Sequence, residues 1–189
     1  MRIHNAARRA LANEFRASGL VADEEKAIPS LSWRDRKGEW HDSIMDISVR
    51  TVASPSHVLL DIVFVDANAK RNASRGLAAS LTDAEQKKYK RHGPTVAPLA
   101  MTHRGRWAPS ATAVLRAIAC QACADHPDSP EPGRLLRRWR RRVAVAVMTA
   151  EAEMRIAALG GQLAAATLGY ADAASGVHAA VRLPALLAA

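Results

Sequence analysis

Two aspartates stand where carboxylates are seldom found. Asp61 interrupts the apolar run Val58-Leu-Leu-Asp-Ile-Val-Phe-Val65, and Asp46 lies within Ile44-Met45-Asp46-Ile47-Ser48-Val49. The first run has the length and β-branched content of a strand covered on both faces. An acid is almost never buried in such a place without a partner or a metal. The second run alternates, with Met45, Ile47 and Val49 on one side and Asp46, Ser48 and Arg50 on the other. Between the two runs, Ala53-Ser54-Pro55-Ser56 supplies turn chemistry, so a β-hairpin is the simplest arrangement. A loop centred between Ala53 and Ser54 puts Asp46 directly opposite Asp61 on one face, with Cβ atoms roughly 4.5–5.5 Å apart. A slip of one residue would send the acids to opposite faces.

Two opposed carboxylates repel, and a divalent cation removes that cost. Mg²⁺ (or Mn²⁺) takes a few carboxylate oxygens and keeps waters, which leaves room for a phosphate. It polarises a phosphodiester and lowers the pKa of a bound water. A neighbouring lysine would stabilise the charge that builds up in the transition state. Lys88, or the adjacent Lys87, on the helix expected after the hairpin could serve, and Glu85 lies three residues before Lys88 on one helical face. The plainer alternative makes Asp46 a solvent-side strand residue and the lysines a solvated helix face.

The elements that must position these residues follow from the pattern of the chain. Ile3, Ala7, Leu11 and Phe15 recur at four-residue spacing, with Asn5 a candidate cap and Gly19 a stop, which predicts a first helix. Leu20 to Ile28 reads as a short strand carrying Asp23, Glu24 and Glu25, and Pro29 to His41 as an irregular connection. After the hairpin, 68–75 reads as a polar loop with Lys70, Arg71 and Arg75. Thr82-Asp83-Ala84-Glu85 is a capping-box pattern that would start a helix at Thr82, and Gly93-Pro94 would end it. Thr95 to Met101 is a further strand. Gly105 marks a turn, and Pro109 opens a helix to about Cys123. The order of helix, three strands, helix, strand and helix predicts an α/β domain over residues 1–125. Residues 126–133 read as a linker. Residues 134–189 read as an arginine-rich helix, Arg134 to Leu159, followed beyond Gly160-Gly161 by an alanine-rich tail of weak helix or disorder.

The 189 residues carry a formal charge of +9, which suits a polyanionic partner. Two cysteines give no disulfide framework and suit a reducing compartment, and the absence of an apolar signal core or uncharged span predicts a soluble intracellular protein. The cluster Arg134, Arg137, Arg138, Arg140, Arg141 and Arg142 would hold phosphates or act as a nuclear import signal, or simply form a solvated helix face. Trp139 within it would either stack on bases or anchor into a core. Arg104, Arg106 and Trp107 sit at a turn that could meet DNA. Cys120-Gln-Ala-Cys123 with His126 lacks an evident fourth ligand, so packing is favoured over zinc.

Residues from about Arg2 to Ala119 resemble the restriction-endonuclease-like domain at the C-terminus of reverse-transcriptase proteins of site-specific, LINE-like non-LTR retrotransposons. The pieces that match are His4-Asn5-Ala6-Ala7-Arg8-Arg9-Ala10-Leu11-Ala12, Gly19-Leu20 with Glu25, Met45-Asp46-Ile47, Leu60-Asp61-Ile62-Val63-Phe64-Val65-Asp66, Lys88-Tyr89, and Pro98-Leu99-Ala100-Met101 to Gly105-Arg106-Trp107-Ala108-Pro109. The resemblance implies a mixed sheet flanked by helices and a PD-(D/E)XK nuclease core that binds divalent metal and nicks DNA. By that resemblance Asp46 and Asp61 would be metal ligands, Lys88 the catalytic lysine and Glu25 an accessory acid. Met45 replaces the family's proline, Val63 stands in place of the lysine two residues past the second acid, and Glu85 stands where a further lysine is often found. The polymerase and zinc-knuckle regions that precede the domain in that family have no counterpart here, so they would be supplied upstream or in trans, and the chain would be a fragment or a decayed copy.

The expected function is therefore a Mg²⁺-dependent DNA endonuclease, nuclear by origin. Lys70, Arg71, Arg75, Arg137, Arg138 and Arg141 would supply sequence-independent phosphate contacts. The alternatives are a non-catalytic nucleic-acid-binding module on the same fold, or a helical interaction protein built on the long C-terminal helix.

Overall fold

The computed structural model describes residues 2–34, 37–51, 56–126 and 128–174, and within them the side chains of all but Trp33, Lys70, Arg71, Ala73 and 162–174. The fold is mixed α/β: a four-stranded sheet flanked by helices, with a long C-terminal helix. Helix α1 (Arg2–Arg16) buries Ala7, Leu11, Ala12 and Phe15 along one stripe. It starts before Asn5, so that residue lies inside the helix and does not cap it. The helix ends in a Schellman motif: Leu20 N–H reaches the Phe15 carbonyl at 3.1 Å, Gly19 N–H the Arg16 carbonyl at 3.1 Å, and Gly19 has φ 79°. A side chain at Gly19 would also run into the imidazole of His126.

Strand β1 (Val21–Ala27) follows. The stretch expected to be irregular contains a single 3-10 turn (Pro29–Leu31) and a short antiparallel ribbon of β2 (Trp33–Arg34) and β3 (Trp40–His41). Arg34 lays its guanidinium over the Trp40 ring at 4.7 Å. Strands β4 (Ile44–Arg50) and β5 (Val58–Val65) then pair antiparallel, Ile47 with Leu60, Ser48 with Leu59 and Val49 with Val58. This is the register that places Asp46 against Asp61 when continued by one residue. The turn residues 53–55 lie outside the described residues.

The polar loop expected at 68–75 contains a short helix, α2 (Lys70–Arg75). Helix α3 (Leu77–His92) starts five residues before Thr82, so the expected capping box is interior. Thr82 Oγ1 donates to the Ala78 carbonyl (3.2 Å), and Glu85 is buried against Ser110. The reason is packing: Leu81 is 2% exposed, and its burial draws the preceding turn into the helix. Strand β6 (Val96–Thr102) lies parallel to β5, giving the order β1-β4-β5-β6, and α4 (Pro109–Asp125) follows with Pro109 in its first turn.

The last helix, α5 (Pro132–Ala174), runs on through Gly160 and Gly161, where the sequence suggested a stop; residues 175–189 lie outside the described residues. Residues Met1–Ala150 form one compact unit and Glu151–Ala189 a second. The boundary therefore falls within α5 and not at the linker expected at 126–133. The cause is the apolar stripe Leu135, Leu136, Trp139, Val143 and Val147, which is buried in the same core as α1 and the sheet. Trp139 meets Phe15 edge-on at 4.9 Å, so it is a core anchor and not a stacking surface. Trp107, at the turn after β6, is buried too and forms a bridge to Met101. In the second unit, Glu151 accepts a hydrogen bond from Arg155 one turn on (2.6 Å).

Candidate carboxylate–lysine site and basic cleft

Asp46 and Asp61 meet where the β4–β5 ladder ends. Beyond the Ile47–Leu60 pair the Asp46 carboxylate takes over, and its Oδ2 accepts the Ile62 N–H at 2.6 Å. The two carboxyl groups are near enough that the Asp46 charge bears on Asp61. Asp61 is 5% exposed, which fits the expectation that an acid in this apolar strand is buried for a reason. Lys88, one helix later, puts Nζ 2.9 Å from its Oδ1 and 2.8 Å from its Oδ2.

Two histidines complete the cluster. His4 Nε2 lies 3.1 Å from both Asp46 Oδ2 and the Ile62 carbonyl; a carbonyl only accepts, so Nε2 carries the proton. His92, one turn after Lys88, is buried with Nε2 3.4 Å from Asp61 Oδ2, and its Nδ1 has no partner. Sequence reasoning missed both. His4 shares the stripe of α1 with Ala7 and Leu11, and His92 stands four residues past Lys88, but neither spacing by itself brings an imidazole to the acids.

The electrostatics of the two acids diverge. Burial pushes Asp46 up, but the hydrogen bond and charge of His4 and the Ile62 N–H outweigh it, so its carboxyl lies below the usual range. Burial raises Asp61, and the Lys88 contacts only partly offset that, with the neighbouring Asp46 charge adding to the rise. His4 is raised, chiefly by its hydrogen bond to Asp46 against the opposing effect of burial. His92 is lowered by burial and by the nearby Arg91 and Lys88 charges. The two carboxyl groups are thus shifted in opposite directions by their surroundings.

Glu25, the expected accessory acid, sits between the pairs Glu24–Ile47 and Lys26–Met45 of the β1–β4 ladder, in a left-handed backbone with φ 52°. That position is opposite Asp46, but the Glu25 carboxylate is tied to the buried Arg8 and is mostly exposed. Glu85 is turned toward Ser110 of α4.

Lys88 also forms part of the wall of a cleft of about 510 Å³ between α2, α3 and the end of β5. Arg75, Lys87 and Arg91 line it as well, and Arg75 pairs with Asp83 at its rim. Lys70 and Arg71 open α2, but their side chains lie outside those described. A second depression, about 920 Å³, runs along the start of α5 between Arg134, Arg137, Arg138, Arg141 and Arg142. Arg137 and Arg141 are exposed there, whereas Arg138 is committed to Glu14 (2.7 Å) and Ser18 (2.8 Å).

Among the described residues, no group of three or more His, Cys, Asp and Glu side chains gathers in a metal-binding arrangement, and no helix is long and apolar enough to cross a membrane. Cys123 Sγ donates to the Pro130 carbonyl (2.9 Å), in keeping with packing. No family model, curated protein or solved structure matches this chain.

Proposed function

We propose that this chain is a nucleic-acid-binding α/β module. The observation that carries this reading is the basic cleft of Arg75, Lys87, Lys88 and Arg91, joined by the arginine-lined face at the start of α5 on a chain of net charge +9. Neutralising phosphates releases counterions, so binding weakens steeply with salt. The test is DNA affinity across a range of salt concentrations: Lys87→Ala and Arg141→Ala should each lower the slope of log K against log salt by about 1. Salt-insensitive binding would sink the reading.

A second reading, favoured by the Asp46–Asp61–Lys88 cluster, is a divalent-metal-dependent DNA endonuclease of the restriction-endonuclease-like type. The donor set fits a hydrated ion such as Mg²⁺, which needs only one or two carboxylates beside its waters. Asp61 Oδ2 is buried with the Lys88 ammonium at 2.8 Å, and a carboxylate, with about four lone-pair sites, has acceptor capacity beyond that contact. Asp46 and Asp61 would hold the ion, which when bound polarises a phosphodiester and acidifies a water. The chain's own contributions are distinct. His4 and the Ile62 N–H fix Asp46 Oδ2 in one orientation. Lys88 is placed to exchange its Asp61 contact for a phosphate oxygen and so balance charge developing there. On this reading the purified chain nicks supercoiled plasmid with Mg²⁺, and Asp61→Asn lowers the rate at least a hundredfold, as loss of a principal electrostatic element does. Undiminished nicking by Asp61→Asn would exclude it.

A further inference from the structure

Two arginine-bearing segments far apart in sequence meet at one point of the first unit. The chain has no acid between Glu85 and Asp125, and none between Glu131 and Glu151. The first stretch holds the turn after β6, where Arg104 and Arg106 flank Gly105; the second holds the arginines of α5. Gly105 lies against α5, so close that a methyl group built on it would stand 2.9 Å from the Ala144 Cβ. Arg140 and Arg141 precede Ala144 by one helical turn, roughly 5–6 Å between Cβ atoms, and Arg137 by two. The turn itself is tightly bonded. Thr102 N–H donates to the Arg106 carbonyl and Gly105 N–H to the Thr102 carbonyl, both at 2.9 Å, and Arg106 N–H reaches Thr102 Oγ1 at 3.2 Å. Trp107, the next residue, is buried. Arg104 and Arg106 are thus held exposed on a fixed turn beside the arginine face of the helix.

Like charges gathered in this way repel, and the chain does little to relieve them. Glu14 takes Arg138 and Arg142, but Arg104, Arg106, Arg137, Arg140 and Arg141 pair with no acid among the described residues. Such a surface is complemented by a ligand with several negative charges in a row. The planar guanidinium fork matches two oxygens of one phosphate, and a nucleic-acid backbone repeats that group regularly.

We infer that the Arg104–Arg106 turn and the α5 arginines form one site for the phosphate backbone of a nucleic acid. The inference rests on the nucleic-acid-binding reading and adds a binding segment distant in sequence from both α3 and α5. Fluorescence anisotropy of a labelled DNA duplex with the full chain, followed across salt concentrations, tests it. Arg104→Ala and Arg106→Ala, both at exposed positions, should each lower the slope of log K against log salt by about 1. Ala144→Glu sets a carboxylate at the junction and should lower the slope too, whereas the neutral Ala144→Gln, of the same shape, should not. Wild-type slopes in Arg104→Ala and Arg106→Ala, with Arg141→Ala still reduced, would overturn this inference alone, as would equal slopes for Ala144→Glu and Ala144→Gln. Vesicles of phosphatidylcholine and phosphatidylserine supply the other source of phosphate. If Arg104→Ala loosens the chain from them and leaves the DNA slope unchanged, the surface takes lipid and the inference fails. The absence of any salt-dependent DNA binding by the wild type would overturn the underlying reading with it.

Discussion

Asp46 and Asp61 are neighbours of the same chemical type shifted in opposite directions, and pH separates them. Asp46 is depressed in the fold, so its contribution to stability is present above the unfolded carboxyl value near 3.8 and is lost as pH falls through its lower folded value. His4 is raised, so its half of the pair is fully present below about 6.5 and is lost as pH rises through its higher folded value. The His4–Asp46 bond therefore stabilises most in mildly acidic solution. Asp61 has the opposite sign: burying its charge costs progressively more as pH rises from 3.8 through its raised value. In urea melts from pH 4 upward, Asp61→Asn should gain stability relative to the wild type as pH rises. His4→Gln should lose about 1 kcal/mol near pH 5 and less at pH 8. Parallel pH profiles for the two variants would show that the acids do not differ. Asp61 was legible in the sequence because an acid in an apolar strand demands a partner. His4 and His92 were not, since only tertiary packing brings them within reach.

Among the elements, the hairpin and the C-terminal helix show where sequence is informative and where it is not. Alternation in β4 and the apolar run of β5 define strands of the observed extent, and parity alone yields the register that seats Asp46 by Asp61. The start of α3 was illegible because Gly76 precedes it without any side-chain cap, while the stronger local signal at Thr82 is overridden by burial of Leu81 and Ser80. The beginning of α5 is dominated by arginine, which hid a core-facing stripe of Leu135, Leu136, Trp139 and Val143. That stripe makes a sharp prediction. Trp139 is fully buried, packs edge-on against Phe15 and donates Nε1–H to Ser18 Oγ at 3.1 Å. Trp139→Ala should cost about 3–5 kcal/mol in urea denaturation, and exposed Arg141→Ala less than about 0.5 kcal/mol. Equal effects would mean that α5 does not complete the core.

At the scale of the molecule, the first compact unit is closed by its two ends. Helix α1 supplies His4 to the carboxylate site at its start and Phe15 to the α5 contact at its end. The order of predicted elements gave an α/β domain, and the mixed sheet bears out the class. That order could not locate the unit's boundary, because the linker-like residues 126–133 connect two parts of one core. The Phe15–Trp139 contact also sets an order of events on the ribosome. Helix α1 is synthesised first, yet its apolar stripe receives its last cover from a residue more than a hundred positions later, as the neighbouring Glu14–Arg138 pair spans 124. At roughly 5–20 residues per second, that stripe waits on the order of ten seconds for its partner. Slower translation of the stretch between Phe15 and Trp139 should lengthen that exposure and lower the soluble yield.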